Sequence, residues 1–106
     1  MRFSALALDY DGTLASHDRI ESPSIDALER ARQAGLRLIL VTGRTFFELI
    51  RVCTRIDLFD AVVAENGAVL YFPAQGTVVD EAPPPPPRLL AELDRRSIPL
   101  QIGRVI

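Results

Sequence analysis

Apolar residues fall into short blocks separated by polar, Gly-containing loops, and the blocks alternate in kind. Phe3-Ser4-Ala5-Leu6-Ala7-Leu8 is a nearly continuous apolar run, which predicts a strand covered on both faces. After an acidic loop, Ser22 and Pro23 read as the N-cap and first position of a helix. Ile25, Leu28 and Ala31 then recur at helical spacing, and Gly35 marks the stop. Leu36–Val41 predicts a second strand. A helix over about 45–55 carries Phe46, Phe47, Leu49, Ile50 and Cys53, and Ala61–Ala64 predicts a third strand.

Strand, helix, strand, helix, strand with short links is a βαβαβ unit with right-handed crossovers, hence an α/β fold on a parallel sheet. Ala68–Phe72 and Thr77–Asp80, parted by Pro73–Gly76, read as a hairpin appended to that sheet. The prolines Pro83–Pro87 form a stiff spacer, followed by a short helix over about Arg88–Arg96 and an extended segment, Pro99–Ile106. No internal repeat is present. Gly103-Arg104-Val105-Ile106 has no polar tail and reads as a strand cut through.

The ends of the strands hold the chemistry. The first strand runs into Asp9-Tyr10-Asp11-Gly12-Thr13, the second into Thr42-Gly43-Arg44, the third into Glu65-Asn66-Gly67. In open α/β sheets ligands bind at the carboxyl ends of the strands. Two carboxylates one residue apart would share a face in extended geometry, and the turn at Gly12 lets the chain leave the sheet. One carboxylate can then serve as nucleophile while the second moves protons, which points to metal-assisted phosphoryl chemistry. An EF-hand reading fails, because Gly12 falls at loop position four instead of six and position twelve would be Ile20 instead of Glu.

Composition narrows the classes. At 106 residues the chain makes one modest domain, or one and a piece of another. Its net charge of −2 gives no footprint for nucleic acid or an anionic membrane. No apolar run is long enough to span a bilayer, and the N-terminus does not read as a signal peptide. The single cysteine, Cys53, cannot form an internal disulfide and suits a reducing cytoplasm; on an apolar helix face it reads as core. All twelve basic residues are arginine, with no lysine anywhere.

Asp9-Tyr10-Asp11-Gly12-Thr13-Leu14 resembles the first motif of the haloacid dehalogenase (HAD) superfamily of phosphohydrolases, and Val41-Thr42-Gly43-Arg44 resembles its second. Glu65-Asn66-Gly67-Ala68 is similar to the segment after the third strand in subclass IIB, the sugar-phosphatase-like members with a large α/β cap. The resemblance covers roughly residues 3–80. It implies a partial Rossmann-like core over 1–81, a proline-rich linker over 82–87 and the start of a cap over 88–106. It also implies that Asp9 is the nucleophile and a Mg²⁺ ligand, and that Asp11 is the general acid/base with its carbonyl on the metal. Thr42 and the Gly43 amide would hold the phosphoryl group, with Arg44 a substrate contact or a surface residue. The substrate would be a small phosphorylated metabolite.

His17 falls where the family has its squiggle and flap elements and reads as exposed, with gating of substrate as its alternative. Glu65 and Asn66 would line the cap hinge or simply form a turn. Phe46 and Phe47 read as helix residues, with no base-stacking role. A receiver-like phosphoacceptor does not fit, because receivers keep that residue after the third strand, where Glu65-Asn66 stands here.

The family's third motif supplies a Lys and its fourth supplies acidic groups, and neither is found in these residues. A carboxylate approaching a phosphoryl dianion meets repulsion of about 4 kcal/mol per charge pair at about 4 Å and an effective dielectric of ~20. Mg²⁺ and the Lys offset that repulsion, so the chain by itself is expected to be an inactive fragment. Without further strands beside it, the first strand becomes an exposed apolar edge, expected to self-associate or to pair with a complementing C-terminal chain. A non-catalytic metal- or phosphate-binding module, or one half of a split protein, is the alternative from a different class.

Overall fold

The structure is a computed structural model and describes residues 4–100 and 102–105. The expectations that fall on Phe3 and Ile106 lie outside those residues. Among the described residues, seven strands and three α-helices follow in the order β1 (Ala5–Asp9), β2 (Ala15–Ser16), β3 (Arg19–Ile20), α1 (Ser22–Gln33), β4 (Arg37–Val41), α2 (Phe46–Val52), β5 (Ala61–Ala64), β6 (Val69–Phe72), β7 (Thr77–Asp80) and α3 (Pro87–Arg95). The main sheet has the order β1-β4-β5-β6-β7. β1, β4 and β5 are parallel, and β6 and β7 extend the sheet as an antiparallel hairpin. The fold is therefore the α/β arrangement that the apolar blocks predict.

Each element has a local cause. α1 opens one residue earlier than read: Glu21 is its N-cap, with Ser22 and Pro23 in the first turn, where a missing proline N–H costs nothing. It closes where Gly35 takes φ +94°, with the Gly35 and Leu36 amides donating to Arg32 and Ala31 carbonyls at 2.9 and 3.1 Å. That is the paired bonding of a Schellman stop. α2 is shorter than the 45–55 expected. The Thr45 hydroxyl caps it by accepting from the Glu48 N–H at 3.2 Å, and Cys53 leaves helical geometry. The proline run also yields sooner, since Pro87 already lies in α3.

Burial shows where the core sits. Leu38, Leu40 and Val62 alternate onto one face and pack with Leu28 of α1, Leu49 of α2, Tyr10 and Phe59. Each such buried side chain contributes about 1.5–3 kcal/mol. The residues between them are less covered, Val41 being 39 % exposed. β1 departs further from the two-sided burial expected of it. It pairs with β4 on one side and forms the edge of the described sheet on the other, leaving Leu6 40 % exposed although it sits in register with buried Leu38. An apolar run specifies two-sided burial only where neighbours exist to cover both sides.

A smaller cluster joins Ala64, Val69 and Val105, with Phe46, Ala68 and Val78 packed against it. Val105 belongs to a segment, 102–105, that returns to the core in irregular form, where the sequence suggested a strand.

Candidate active site

Register brings the candidate residues level. Asp9 pairs with Val41 across β1 and β4, and Val41 pairs with Val63 across β4 and β5. Three loops therefore leave the carboxyl ends of parallel strands side by side, led by Asp9, Thr42 and Glu65.

The first loop is wound around one carbonyl. Tyr10 O accepts the amides of Leu14 and Ala15 at 3.0 and 2.8 Å, a turn that Gly12 permits with φ +75°. The Tyr10 side chain is fully buried, and its hydroxyl donates to the Asp18 carbonyl at 2.6 Å. Burial above all, with a smaller effect of the Cys53 thiol beside it, pushes the phenol up to about 12. Sinking Tyr10 leaves Asp9 and Asp11 exposed on either side of it. Among the described residues the Asp9 carboxylate meets no hydrogen-bond donor or cation.

Asp11 is held. Arg44 grips it with both ends of the fork, Nε to Oδ2 at 2.8 Å and Nη2 to Oδ1 at 2.7 Å. That bidentate bond lowers the Asp11 carboxyl below its ordinary value and raises the already high Arg44 further. Arg44 also pairs with Asp18 and with Glu48, the latter at 3.2 Å, and lies 5.8 Å from the centre of the Tyr10 ring. One cation thus gathers three carboxylates. Expected as a substrate contact or a surface residue, it ties the first loop to the hairpin of β2 and β3.

That hairpin gives no sequence signal. His17 and Asp18 form its tip with φ of +52° and +70°, a two-residue turn without glycine. His17 is exposed, as expected, with Nδ1 3.2 Å from the Ser16 hydroxyl. An open cleft of about 580 Å³ runs between the first loop and the hairpin, bordered by Asp11, Gly12, Thr13, His17 and Asp18. Asp9, Thr42 and Gly43 stand outside its lining.

The second loop is backed by the third. Thr42 is 3 % exposed, and its Oγ1 accepts the Arg44 N–H at 3.0 Å. Gly43 is exposed, yet a Cβ there would lie 2.7 Å from Asn66 Oδ1, so glycine lets the Asn66 amide sit close against the loop. Glu65 and Asn66 both sit in the left-handed region, with φ of +52° and +57°. Such geometry costs roughly 1–2 kcal/mol per residue and persists only where the surroundings hold it.

Glu65 shows what holds it. It is 1 % exposed, and its carboxylate accepts the backbone N–H groups of Phe46, Arg104 and Val105 at 2.9, 2.7 and 2.8 Å. Sequence reasoning saw a hinge or a turn here and missed a buried carboxylate. The one available signal was an acid directly after an apolar strand. Cys53 is buried, its thiol pushed up by that burial, and Phe46 and Phe47 lie in α2, as read.

A metal requires donors. Among the described residues no three His, Cys, Asp or Glu side chains group so as to hold an ion. Mg²⁺ asks for less, since it keeps several waters and is commonly held by one or two carboxylates together with substrate phosphate. The exposed, unpaired Asp9 carboxylate fits that demand. Asp11 has its carboxylate on Arg44 and its backbone carbonyl left to offer.

The model of the haloacid dehalogenase-like hydrolase family matches residues 6–86. Pyridoxal phosphate phosphatase YbhA of Escherichia coli (strain K12) is 38% identical over 86 residues, which is 80% of this chain and 32% of that protein. A glucosyl-3-phosphoglycerate/mannosyl-3-phosphoglycerate phosphatase of Persephonella marina is 33% identical over 66 residues, 61% of this chain and 24% of that one. Among solved structures, the HAD subclass IIB sugar phosphatase BT4131 superposes with a TM-score of 0.64 at 30% identity, covering 88% of this chain and 38% of its own. The chain spans about a third or less of the length of these relatives. It belongs to the haloacid dehalogenase-like hydrolases.

Proposed function

We propose that this chain supplies the nucleophile-bearing part of a Mg²⁺-dependent phosphatase, of the sugar-phosphatase-like subclass IIB, that hydrolyses a small phosphomonoester. One observation carries the reading: Asp9 presents an exposed carboxylate, unpaired among the described residues, at the end of β1, level with the Thr42–Arg44 loop at the end of β4. An Asp9 oxygen attacks phosphorus, the bond from phosphorus to the ester oxygen breaks, and Asp11 protonates the departing alcohol. Water then attacks phosphorus, Asp11 takes its proton, and the bond from phosphorus to the Asp9 oxygen breaks, which releases inorganic phosphate and restores the carboxylate. Mg²⁺, held by the Asp9 carboxylate and the Asp11 carbonyl, would supply charge neutralisation for the phosphoryl oxygens. The Gly43 amide and the Thr42 hydroxyl receive the phosphoryl group.

Arg44 sets a condition on this sequence of steps. Its grip keeps Asp11 ionised, ready to accept a proton and unready to give one. Arg44 must loosen its hold for the first step. Shared among Asp11, Asp18 and Glu48, it also has no charge left over for a phosphate dianion. That speaks against a simple phosphate-binding module. It also leaves open the place of a second cation, which the resemblance assigns to a Lys that these 106 residues do not contain. Alone, these residues are inactive and associate through the exposed β1 edge.

Hydrolysis of p-nitrophenyl phosphate with Mg²⁺ tests the proposal, using the chain alone and a fusion that continues into the remainder of the Escherichia coli relative. The chain alone should stay near background and the fusion should turn over. Asp9→Asn in the fusion should lower the rate by about 10³-fold or more. Activity that survives Asp9→Asn, or a folded fusion with none, would refute Asp9 as nucleophile.

A further inference from the structure

Glu65 takes no part in that mechanism, yet it is the most deeply buried carboxylate among the described residues. Its surroundings are built from two directions. From one side comes the Phe46 amide at the start of α2, directly behind the Thr42–Arg44 loop. From the other come the Arg104 and Val105 amides, thirty-nine and forty residues away in sequence. Gly103 lies so close that a Cβ on it would sit 2.6 Å from the Glu65 carboxylate. Val105, 4 % exposed, packs on Ala64 and Val69, and Arg104 pairs with Asp80 of β7.

The backbone of the same turn reaches the second loop. Glu65 N–H donates to the Arg44 carbonyl at 3.0 Å, Asn66 N–H to the Thr42 carbonyl at 3.3 Å, and the Asn66 amide oxygen fills the space above Gly43. With Glu65 and Asn66 both left-handed, this turn needs every one of its attachments.

We propose that Glu65 is a positioning residue, a buried clasp that couples the docking of residues 102–105 to the geometry of the Thr42–Gly43–Arg44 loop. Whatever moves the segment after α3 then moves the loop that faces Asp9. The mechanical coupling holds whatever the loop binds. Its consequence for phosphoryl transfer rests on the function proposed above, so the test uses no phosphate and no turnover.

Amide hydrogen exchange on the 106-residue chain reads it, with Gly103→Ala as the variant that crowds the Glu65 carboxylate and obstructs docking while every residue of the 42–44 loop and Glu65 itself keep their identity. Protection of the Arg104 and Val105 amides should fall at least tenfold. Protection of the Arg44, Glu65 and Phe46 amides should fall with it, by about threefold or more, while the Leu38, Leu40 and Val62 amides of the sheet stay unchanged. Asp80→Ala, which only removes the partner of Arg104 on the surface, should shift the same two sets of amides in the same direction by a smaller factor. Freed Arg104 and Val105 amides with unchanged Arg44 and Phe46 would overturn the coupling. Unchanged Arg104 and Val105 amides in Gly103→Ala would overturn the clasp. Uniform loss across the sheet in both variants would overturn it too, since docking would then be no separable event.

Discussion

Arg44 and Glu65 are neighbours at the carboxyl end of the sheet, joined by a backbone hydrogen bond of 3.0 Å, and they organise their surroundings in opposite ways. Arg44 collects the carboxylates of Asp11, Asp18 and Glu48, of which Asp11 and Asp18 are 50% and 58% exposed. Glu65 collects backbone amides in an interior that water does not reach. Exposed ion pairs contribute about 0–1 kcal/mol each and are screened by salt, because water serves either partner nearly as well. A buried acceptor has no such substitute, and each donor orphaned by its loss costs about 1–3 kcal/mol. The two clusters therefore divide the labour. The one around Arg44 can open at little cost, and the one around Glu65 resists opening and moves as a unit.

Removing the buried partner is the harshest way to break this contrast. Glu65→Ala should cost about 3 kcal/mol or more in urea denaturation, because the Phe46 amide and those of Arg104 and Val105 lose their acceptor together. That is a large share of the about 5–15 kcal/mol that holds an ordinary domain folded. If Glu65→Ala costs no more than Arg44→Ala, the distinction between the two clusters is void.

Next in size is the phenol that links the core to the hairpin tip. An unfolded tyrosine titrates near 10 and the folded Tyr10 near 12, so its burial favours folding fully below pH 10 and ceases to do so as the pH rises through 12. Tyr10→Phe should flatten that alkaline limb in a plot of stability against pH. It should cost about 1 kcal/mol at neutral pH through the lost bond to Asp18.

The smallest effect belongs to Arg44 itself. Arg44→Ala should destabilise by less than about 1 kcal/mol, and at about 1 M salt the difference from the parent should vanish. The lowered Asp11 value means that its pairing adds stability above the ordinary carboxylate range and loses it as the pH falls through the folded value. Carbon-detected NMR titration of Asp11 should accordingly show an upward return in the variant. A titration that stays in place would mean that something other than Arg44 sets it.

Much of this arrangement was legible in the residues. The strands β4 and β5 announce themselves as apolar runs that end in a hydroxyl or an acid, and Gly35 stops α1 as it should. The placement of Asp9, Asp11 and Thr42 at or just past the carboxyl ends of neighbouring strands could be read from the apolar runs before them. The hairpin at 15–20 could not be, since Ala15-Ser16-His17-Asp18-Arg19-Ile20 lacks apolar alternation and its turn lacks glycine. What holds it is tertiary, the Tyr10 hydroxyl and the Arg44 guanidinium meeting at Asp18. Glu65 was illegible for a related reason: its partners are backbone amides, which every residue but proline carries and no sequence pattern marks. β1 read as doubly covered because composition records what a strand can bury, and says nothing of whether a neighbour is there to cover it.

The close fit of Gly43 against Asn66, with 2.7 Å between a hypothetical Cβ and the amide oxygen, binds two positions into one heritable unit. Alanine at 43 would push the exposed Asn66 amide aside, and a replacement at 66 must also suit the left-handed backbone there. Across descendants of this loop, the pair should be kept together or exchanged together, and an intermediate bearing only one of the two changes should be the rarest combination.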